Sequence, residues 1–375
     1  MSSSITFRGV RSWRRWRFRL PVVAAFLLSG GVPRSVSAQV KVKQLTPEQV
    51  DQIVTSLETT AKNYVFPDIA VQLEQTIEGH RRQYRSISDP NVLADRLTAD
   101  MRAVGHDQHL LVTFGEELAV QKDPTPEEKA HAHEFDRSSG YGIRSSRRLA
   151  GNVGYIDLAY FSPDSDAGAA IAAAMRVVRG TDALIIDLRK NGGGSGDTMI
   201  TFASYFYDDV TQMSSVVEHI GSQTHERQHW TAGYVEGPRY LDRPVFILTS
   251  RRTHSAAEAF AYDMKNSHHA TVVGERTSGD ATSATGEINV GYGFSVFMAN
   301  GQMVSPVTHT NYIRVGVQPD VAIAPADALI AAYTLALKAG KLNIDSDELS
   351  KEKTDALDDP KAALLQEIDG FPKSR

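Results

Sequence analysis

Residues 243–262, Arg-Pro-Val-Phe-Ile-Leu-Thr-Ser-Arg-Arg-Thr-His-Ser-Ala-Ala-Glu-Ala-Phe-Ala-Tyr, constrain the fold more than any other stretch of the 375-residue chain. A short apolar run at 245–248 gives way, at Ser255, to strong helix formers over 256–264, so the segment predicts a strand, a tight turn and a helix. Ser255 then stands at a helix N-terminus. Unsatisfied N–H groups there, chiefly that of Ala256, can stabilise an oxyanion on a carbonyl under attack. The same four residues, Ser255-Ala-Ala-Glu258, also spell a capping box, with Ser255 as N-cap and Glu258 at the third helical position. Alone, the motif favours capping; the rest of the chain shifts the balance.

A second unit of the same build lies upstream. Residues 183–188 read as a buried strand, Arg189-Lys-Asn-Gly-Gly-Gly-Ser-Gly-Asp197 as a glycine turn, and 198–207 as a helix. With a strand at 153–158 and a helix at 167–179, the alternation from Gly151 onward predicts an α/β domain. Strands follow at 270–273, 292–298 and around Val304, and a last helix at 325–338 has its proline in the first turn, where a missing N–H costs least.

Upstream, 45–97 reads as helical. Val50, Ile53, Val54 and Leu57 fit the helical period, two further helices are expected at 69–84 and 92–104, and the period changes at Leu110 to give a strand. Residues 115–150 are polar and aperiodic and read as a connection with a short strand at 141–143. His131 and His133 within it would share a face on a strand; with no third ligand near them in the sequence, they read as solvated surface. The expected organisation is an N-terminal helical domain at 39–115, a connecting segment at 116–150, the α/β domain at 151–340 and a charged, peripheral tail at 341–375.

Residues 1–38 read as a secretory signal. Six arginines and no acid precede an apolar run at 20–28, which is too short to span a bilayer comfortably, and Val36-Ser-Ala38 offers a small-residue exit. Its removal takes away seven arginines and no acids, moving the formal net charge from −5 to −12. An exported or periplasmic protein is implied, and so acidic a chain is a poor candidate for nucleic acid. The absence of cysteine excludes disulfides, thiolate metal sites and a cysteine nucleophile.

Gly192, Gly193 and Gly194, between a strand and a helix, can cradle an anion with backbone N–H groups. A phosphate fits poorly, since Gly-Lys-Ser/Thr is missing and so is the third glycine of a dinucleotide fingerprint. A reaction oxyanion and a purely structural sharp turn stay open.

On these motifs the chain resembles a known family. Asp187-Leu-Arg-Lys-Asn-Gly-Gly-Gly194, the 249–260 segment, Val273-Gly-Glu-Arg-Thr277 and Gly316-Val-Gln-Pro-Asp320 resemble the tail-specific, or C-terminal-processing, serine peptidases. Asn63-Tyr-Val-Phe-Pro67 and Asp107-Gln-His-Leu110 resemble the branch typified by interphotoreceptor retinoid-binding protein. The resemblance implies a Clp/crotonase-like catalytic core of mixed strands and helices, without cofactor or metal, acting on peptides or unfolded protein; 115–150 is too short for the PDZ-like domain of other relatives. It implies Ser255 as nucleophile, with the Ala256 N–H and a glycine N–H, that of Gly193, as the oxyanion hole.

The base departs from the pattern. Many relatives carry a lysine after the last glycine of Gly-Glu-x-Thr-x-Gly, where this chain has Asp280; the branch with Asp-x-His implies His109 instead. The acid that completes that branch's set is replaced by Ile313, leaving Glu258, Asp107 or Asp280 as substitutes. His254 reads as packing or rim, and Arg189 and Asp187 as braces of the glycine turn. The departures at Asp280 and Ile313 suggest one rival function, a weakened relative that binds an apolar ligand; a second is a crotonase-like acyl hydrolase or lyase that uses the same oxyanion geometry on a non-peptide acyl group. The sequence is silent on oligomeric state.

Overall fold

A computed structural model describes residues 44–107, 110–115, 125–220, 223–279, 282–283, 287–299, 301–341 and 346–369. The signal reading at 1–38, His109 and Asp280 lie outside the described residues.

Three helices open the fold: α1 (Pro47–Ala61), α2 (Pro67–Tyr84) and α3 (Pro90–Gly105), followed by strand β1 (Leu111–Phe114). Each helix starts with proline in its first turn, and Thr46 and Asp89 cap α1 and α3 through their side-chain oxygens. Val50, Ile53, Val54 and Leu57 are fully buried against Leu73, Ile77, Leu93 and Leu97. Helices alone do not close this core. β1 pairs antiparallel with Phe294–Phe297, which pairs with Glu287–Gly291, and Val290, Phe294 and Val296 complete the same cluster. The N-terminal helices therefore rest on a hairpin from the far end of the chain.

The 116–150 segment is not aperiodic connection throughout. It holds α4 (Pro126–Ser138), started by a Thr125–Glu128 capping box, and β2 (Ile143–Leu149). Within α4 only Asp136 is buried, so the helix has no apolar stripe to reveal it.

The chain continues through β3 (Val153–Leu158), α5 (Ala167–Val178), β4 (Ala183–Asp187), α6 (Gly196–Ala203), β5 (Ser215–Ile220), β6 (Gln223–Arg227), β7 (Val245–Thr249), α7 (Ala256–Asn266) and β8 (Thr271–Gly274). It ends with β9 (Thr282–Ser283), the hairpin β10–β11 already placed, β12 (Gly301–Val304), β13 (Val321–Ala322), α8 (Pro325–Ala339), α9 (Asp347–Asp358) and α10 (Pro360–Asp369). A six-stranded sheet in the order β13-β8-β7-β4-β3-β2 is parallel except for β2, and β6-β5-β12-β9 form a smaller antiparallel sheet.

Both faces of the large sheet are covered, which is why its central strands are continuous apolar runs. Ile186 and Ile247 face α5, α6 and α7, while Ile185, Phe246 and Leu248 face α8. Each fully buried aliphatic side chain contributes about 1.5–3 kcal/mol. The tail is less peripheral than its charge suggests, since Ala356 of α9 and Leu364 of α10 are buried against α8. Leu357 and Ala363 pack beside them, but so few apolar contacts in a charged tail leave a weak period to read.

Candidate active site

Three loops leave the carboxyl ends of β4, β7 and β8, adjacent parallel strands whose registers, Asp187 with Leu248 and Leu248 with Val273, bring their ends level. In parallel α/β sheets, ligand-binding crevices form at such ends. The β4 loop carries the glycine turn, the β7 loop Ser255, and the β8 loop Thr277, Ser278 and Gly279.

The loops are stitched together. Thr253 Oγ1 donates to the Leu188 carbonyl (2.8 Å), Ser250 Oγ to that of Arg189 (2.6 Å), and the His254 N–H to that of Asn191 (3.1 Å). From the other side, the Ser278 N–H reaches the Thr253 carbonyl at 3.1 Å. Arg189 grips Asp187 through Nε and a terminal nitrogen (2.9 and 2.6 Å), the bracing expected of that pair. Gly193 therefore lies directly on Ser255. A Cβ on that glycine would stand 2.7 Å from the Ser255 Cβ and 3.1 Å from the Ala256 nitrogen.

Ser255 itself is half-buried with φ 52° and ψ −123°, a region that an L-residue occupies only at a cost of about 1–3 kcal/mol. Of the capping box, one half is made: the Ser255 N–H is donated to Glu258 Oε2 at 3.0 Å. The other half is weak: the Glu258 N–H faces the Ser255 hydroxyl but is donated to the Ser255 carbonyl at 2.8 Å. With this strained backbone, and the Glu258 N–H given to its carbonyl, Ser255 departs from an ordinary N-cap.

Glu258 is fully buried and gathers two loops. Besides the Ser255 N–H it accepts the Thr277 hydroxyl, the Ser278 hydroxyl (2.9 Å) and the Gly279 N–H (2.7 Å). Burial pushes its carboxyl above the ordinary range, while the bonds from Thr277, Gly279 and Ser278 pull the other way. Occupied in this way, it is placed to hold the turn rather than to pass protons.

One expectation meets a competitor. The Gly193 N–H is donated to the Asn191 side-chain oxygen at 2.8 Å, and Asn191 is itself fixed by donating to the Leu158 carbonyl at 3.0 Å. The N–H groups of Ala256 and Gly194 have no partner among the described residues. Asn191 carried no signal in the sequence beyond its place in the motif.

Of the remaining candidates, His254 is half-buried beside Ser255, and Ile313 is buried in the core beneath α7. Asp107 is buried and accepts the Tyr64 hydroxyl at 2.8 Å. From Tyr64 the contacts run towards Ser255. Its ring meets Phe66 edge-on, the Arg314 guanidinium stacks 4.0 Å over Phe66, and the Arg314 N–H is donated to the Gly279 carbonyl at 2.7 Å. Asp107, two residues before His109 in the sequence, is thus linked by contacts to Gly279 in the loop that Glu258 holds.

Comparison with known proteins agrees with this architecture. A family model described as peptidase family S41 matches residues 152–323, and another, the N-terminal domain of peptidase S41 in eukaryotic IRBP, matches residues 37–138. The chain belongs to peptidase family S41. Among S41 relatives, a carboxyl-terminal-processing protease of Synechocystis sp. is 31% identical over 170 residues, 45% of this chain and 37% of that protein. A chloroplastic carboxyl-terminal-processing peptidase 2 of Arabidopsis thaliana is 30% identical over 173 residues, 45% of this chain and 31% of that one. The chain thus matches less than two fifths of the length of either. A crystal structure from Parabacteroides merdae, of a protein described provisionally as a peptidase, superposes with TM-score 0.57 at 20% identity, covering 80% of this chain and all of that one. At that identity the likeness speaks for the fold alone.

Proposed function

We propose that this S41 member is a serine peptidase that cleaves unfolded or C-terminal protein segments through an acyl-enzyme on Ser255. The observation that carries the proposal is Ser255 in a strained turn at the N-terminus of α7, with the glycine loop pressed against it. Ser255 Oγ attacks the scissile carbonyl carbon, and His109 takes the hydroxyl proton as general base. The negative oxygen is held by the Ala256 N–H and one from the glycine loop. That of Gly194 is unengaged among the described residues, and that of Gly193 becomes a donor when Asn191 shares or releases it. His109 returns the proton to the departing amine, and water, deprotonated by the same imidazole, then frees the acid and restores the serine. Glu258 keeps the Ser255 turn in its strained form, and Asp107, two residues before His109 in the sequence, is the acid this reading assigns to orient the imidazole.

Export of the protein to the periplasm or beyond is part of the same reading. The arginine-rich, apolar start of the chain supports export, and no helix among the described residues is long and apolar enough to cross a membrane. The test is digestion of an unstructured protein beside a folded one, with products read by mass spectrometry. Wild type degrades the unstructured protein and Ser255→Ala leaves it intact; equal turnover by the two proteins removes the serine from the chemistry.

A further inference from the structure

Away from the catalytic crevice, the structure brings His133 against two aspartates that lie close to each other in sequence but far from it. His133 on α4, and Asp164 and Asp166 in the turn before α5, each offer one ligand atom within 4.8 Å of the others. His133 Nδ1 lies 2.7 Å from Asp164 Oδ2, with the imidazole 46% and the carboxylate 9% exposed. Asp164 Oδ1 receives the Asp166 N–H at 2.9 Å, which folds the turn and aims both carboxylates at the helix. Asp166 stands at the N-cap of α5 yet makes no cap hydrogen bond, and its carboxylate has only a long contact, 3.4 Å, from the Tyr141 hydroxyl. One nitrogen and two carboxylate oxygens, on two separate elements and open to solvent on one side, form a donor set for a borderline divalent cation.

We propose that His133, Asp164 and Asp166 form a Zn²⁺ site that ties α4 to the turn before α5. A tetrahedral shell places neighbouring ligand atoms about 3.4 Å apart, so small rotations of the exposed His133 and Asp166 side chains about the largely buried Asp164 carboxylate suffice, with water in the fourth position. The hard cations Ca²⁺ and Mg²⁺ prefer more oxygens than this site supplies and bind more weakly. The tie reaches the glycine loop by a short path. The Asp164 N–H is donated to Ser162 Oγ (3.1 Å), and the Ser162 carbonyl accepts Thr198 Oγ1 (2.6 Å). The neighbouring Phe161 donates its N–H to the Gly193 carbonyl and accepts the Ser195 N–H, both at 2.8 Å. A cation that stiffens this turn stiffens the backing of the glycine loop, and binding can be read without any peptidase assay.

The experiment is calorimetric titration of the untagged, metal-free protein with Zn²⁺, for wild type, His133→Ala, Asp166→Asn and the control His131→Ala. All three substitutions are at exposed positions, and thermal unfolding without metal confirms that the variants fold. Wild type and His131→Ala are expected to bind alike, and His133→Ala and Asp166→Asn at least tenfold more weakly. Absence of saturable binding in wild type, or equal affinity in His133→Ala, overturns the site. Hydrogen exchange over 161–166 slows on saturation of wild type; unchanged exchange overturns the tie.

Discussion

Gly193 lies so close to Ser255 that no side chain fits between them: its φ is +100°, and a Cβ would stand 2.7 Å from the serine Cβ and 2.9 Å from the His254 carbonyl oxygen. Gly193→Ala forces either the glycine loop or the serine turn to move. A shift of a few tenths of an ångström is enough to spoil an oxyanion site, so kcat/KM should fall at least ~100-fold. Steady-state kinetics on an unstructured substrate checks this, and an alanine variant with wild-type kcat/KM would show the contact to be without consequence.

Removing the Glu258 side chain strands a buried N–H from Ser255, a second from Gly279 and the hydroxyl of Thr277. Glu258→Ala should cost at least about 3 kcal/mol of stability, since unsatisfied buried groups cost roughly 1–3 kcal/mol each. Glu258→Gln retains the volume and acceptor oxygen and should lose less. Denaturant titration of both variants measures the difference; an alanine variant as stable as wild type contradicts the anchoring role.

If His109 is the base, it must be neutral to act. Activity should therefore decline as pH falls through roughly 6.5, the reference value for histidine. A kcat/KM profile that stays flat well below that pH, together with full activity in His109→Ala, assigns the proton transfer to another group.

Asp263, on the helix that follows Ser255, is almost entirely buried, and burial pushes its carboxyl up to about 6 against the Ser214 hydroxyl and N–H that hold it. Its folded value exceeds its unfolded one, so the folded state binds the extra proton. Its contribution is thus fully present below the unfolded value near 4 and is lost as pH rises through about 6. The loss is on the order of 3 kcal/mol. Asp263→Asn should abolish that dependence, so the stability difference between wild type and variant should change across pH 4–6 and level off above it. A difference constant with pH means that Asp263 does not titrate in that window.

The serine turn and the glycine turn were legible because each is built locally, a buried strand running into a helix through residues that tolerate a sharp bend. Their meeting followed from adjacent parallel strands ending level, which the alternating pattern implies. What stayed hidden was non-local or weakly patterned. The hairpin that completes the N-terminal core pairs Leu111 with Phe297, and nothing near either residue announces the other. Helix α4 buries one side chain, and that one is an aspartate. Asp164 and Asp166 meet His133 only in the folded chain. The Asn191 hold on the Gly193 N–H is a side-chain choice within a turn whose existence was plain. At Ser255 the capping letters do bring Glu258 back onto the turn, yet the serine backbone has left the ordinary capping conformation, which the letters do not encode.

Covalent labelling by a fluorophosphonate, located by peptide mass spectrometry, tests most directly whether Ser255 is an activated nucleophile. Phosphonylation of wild type at Ser255, absent from a folded Ser255→Ala variant, is the predicted result. A wild-type protein that stays unlabelled while it digests peptides, or labelling that persists in the alanine variant, contradicts it.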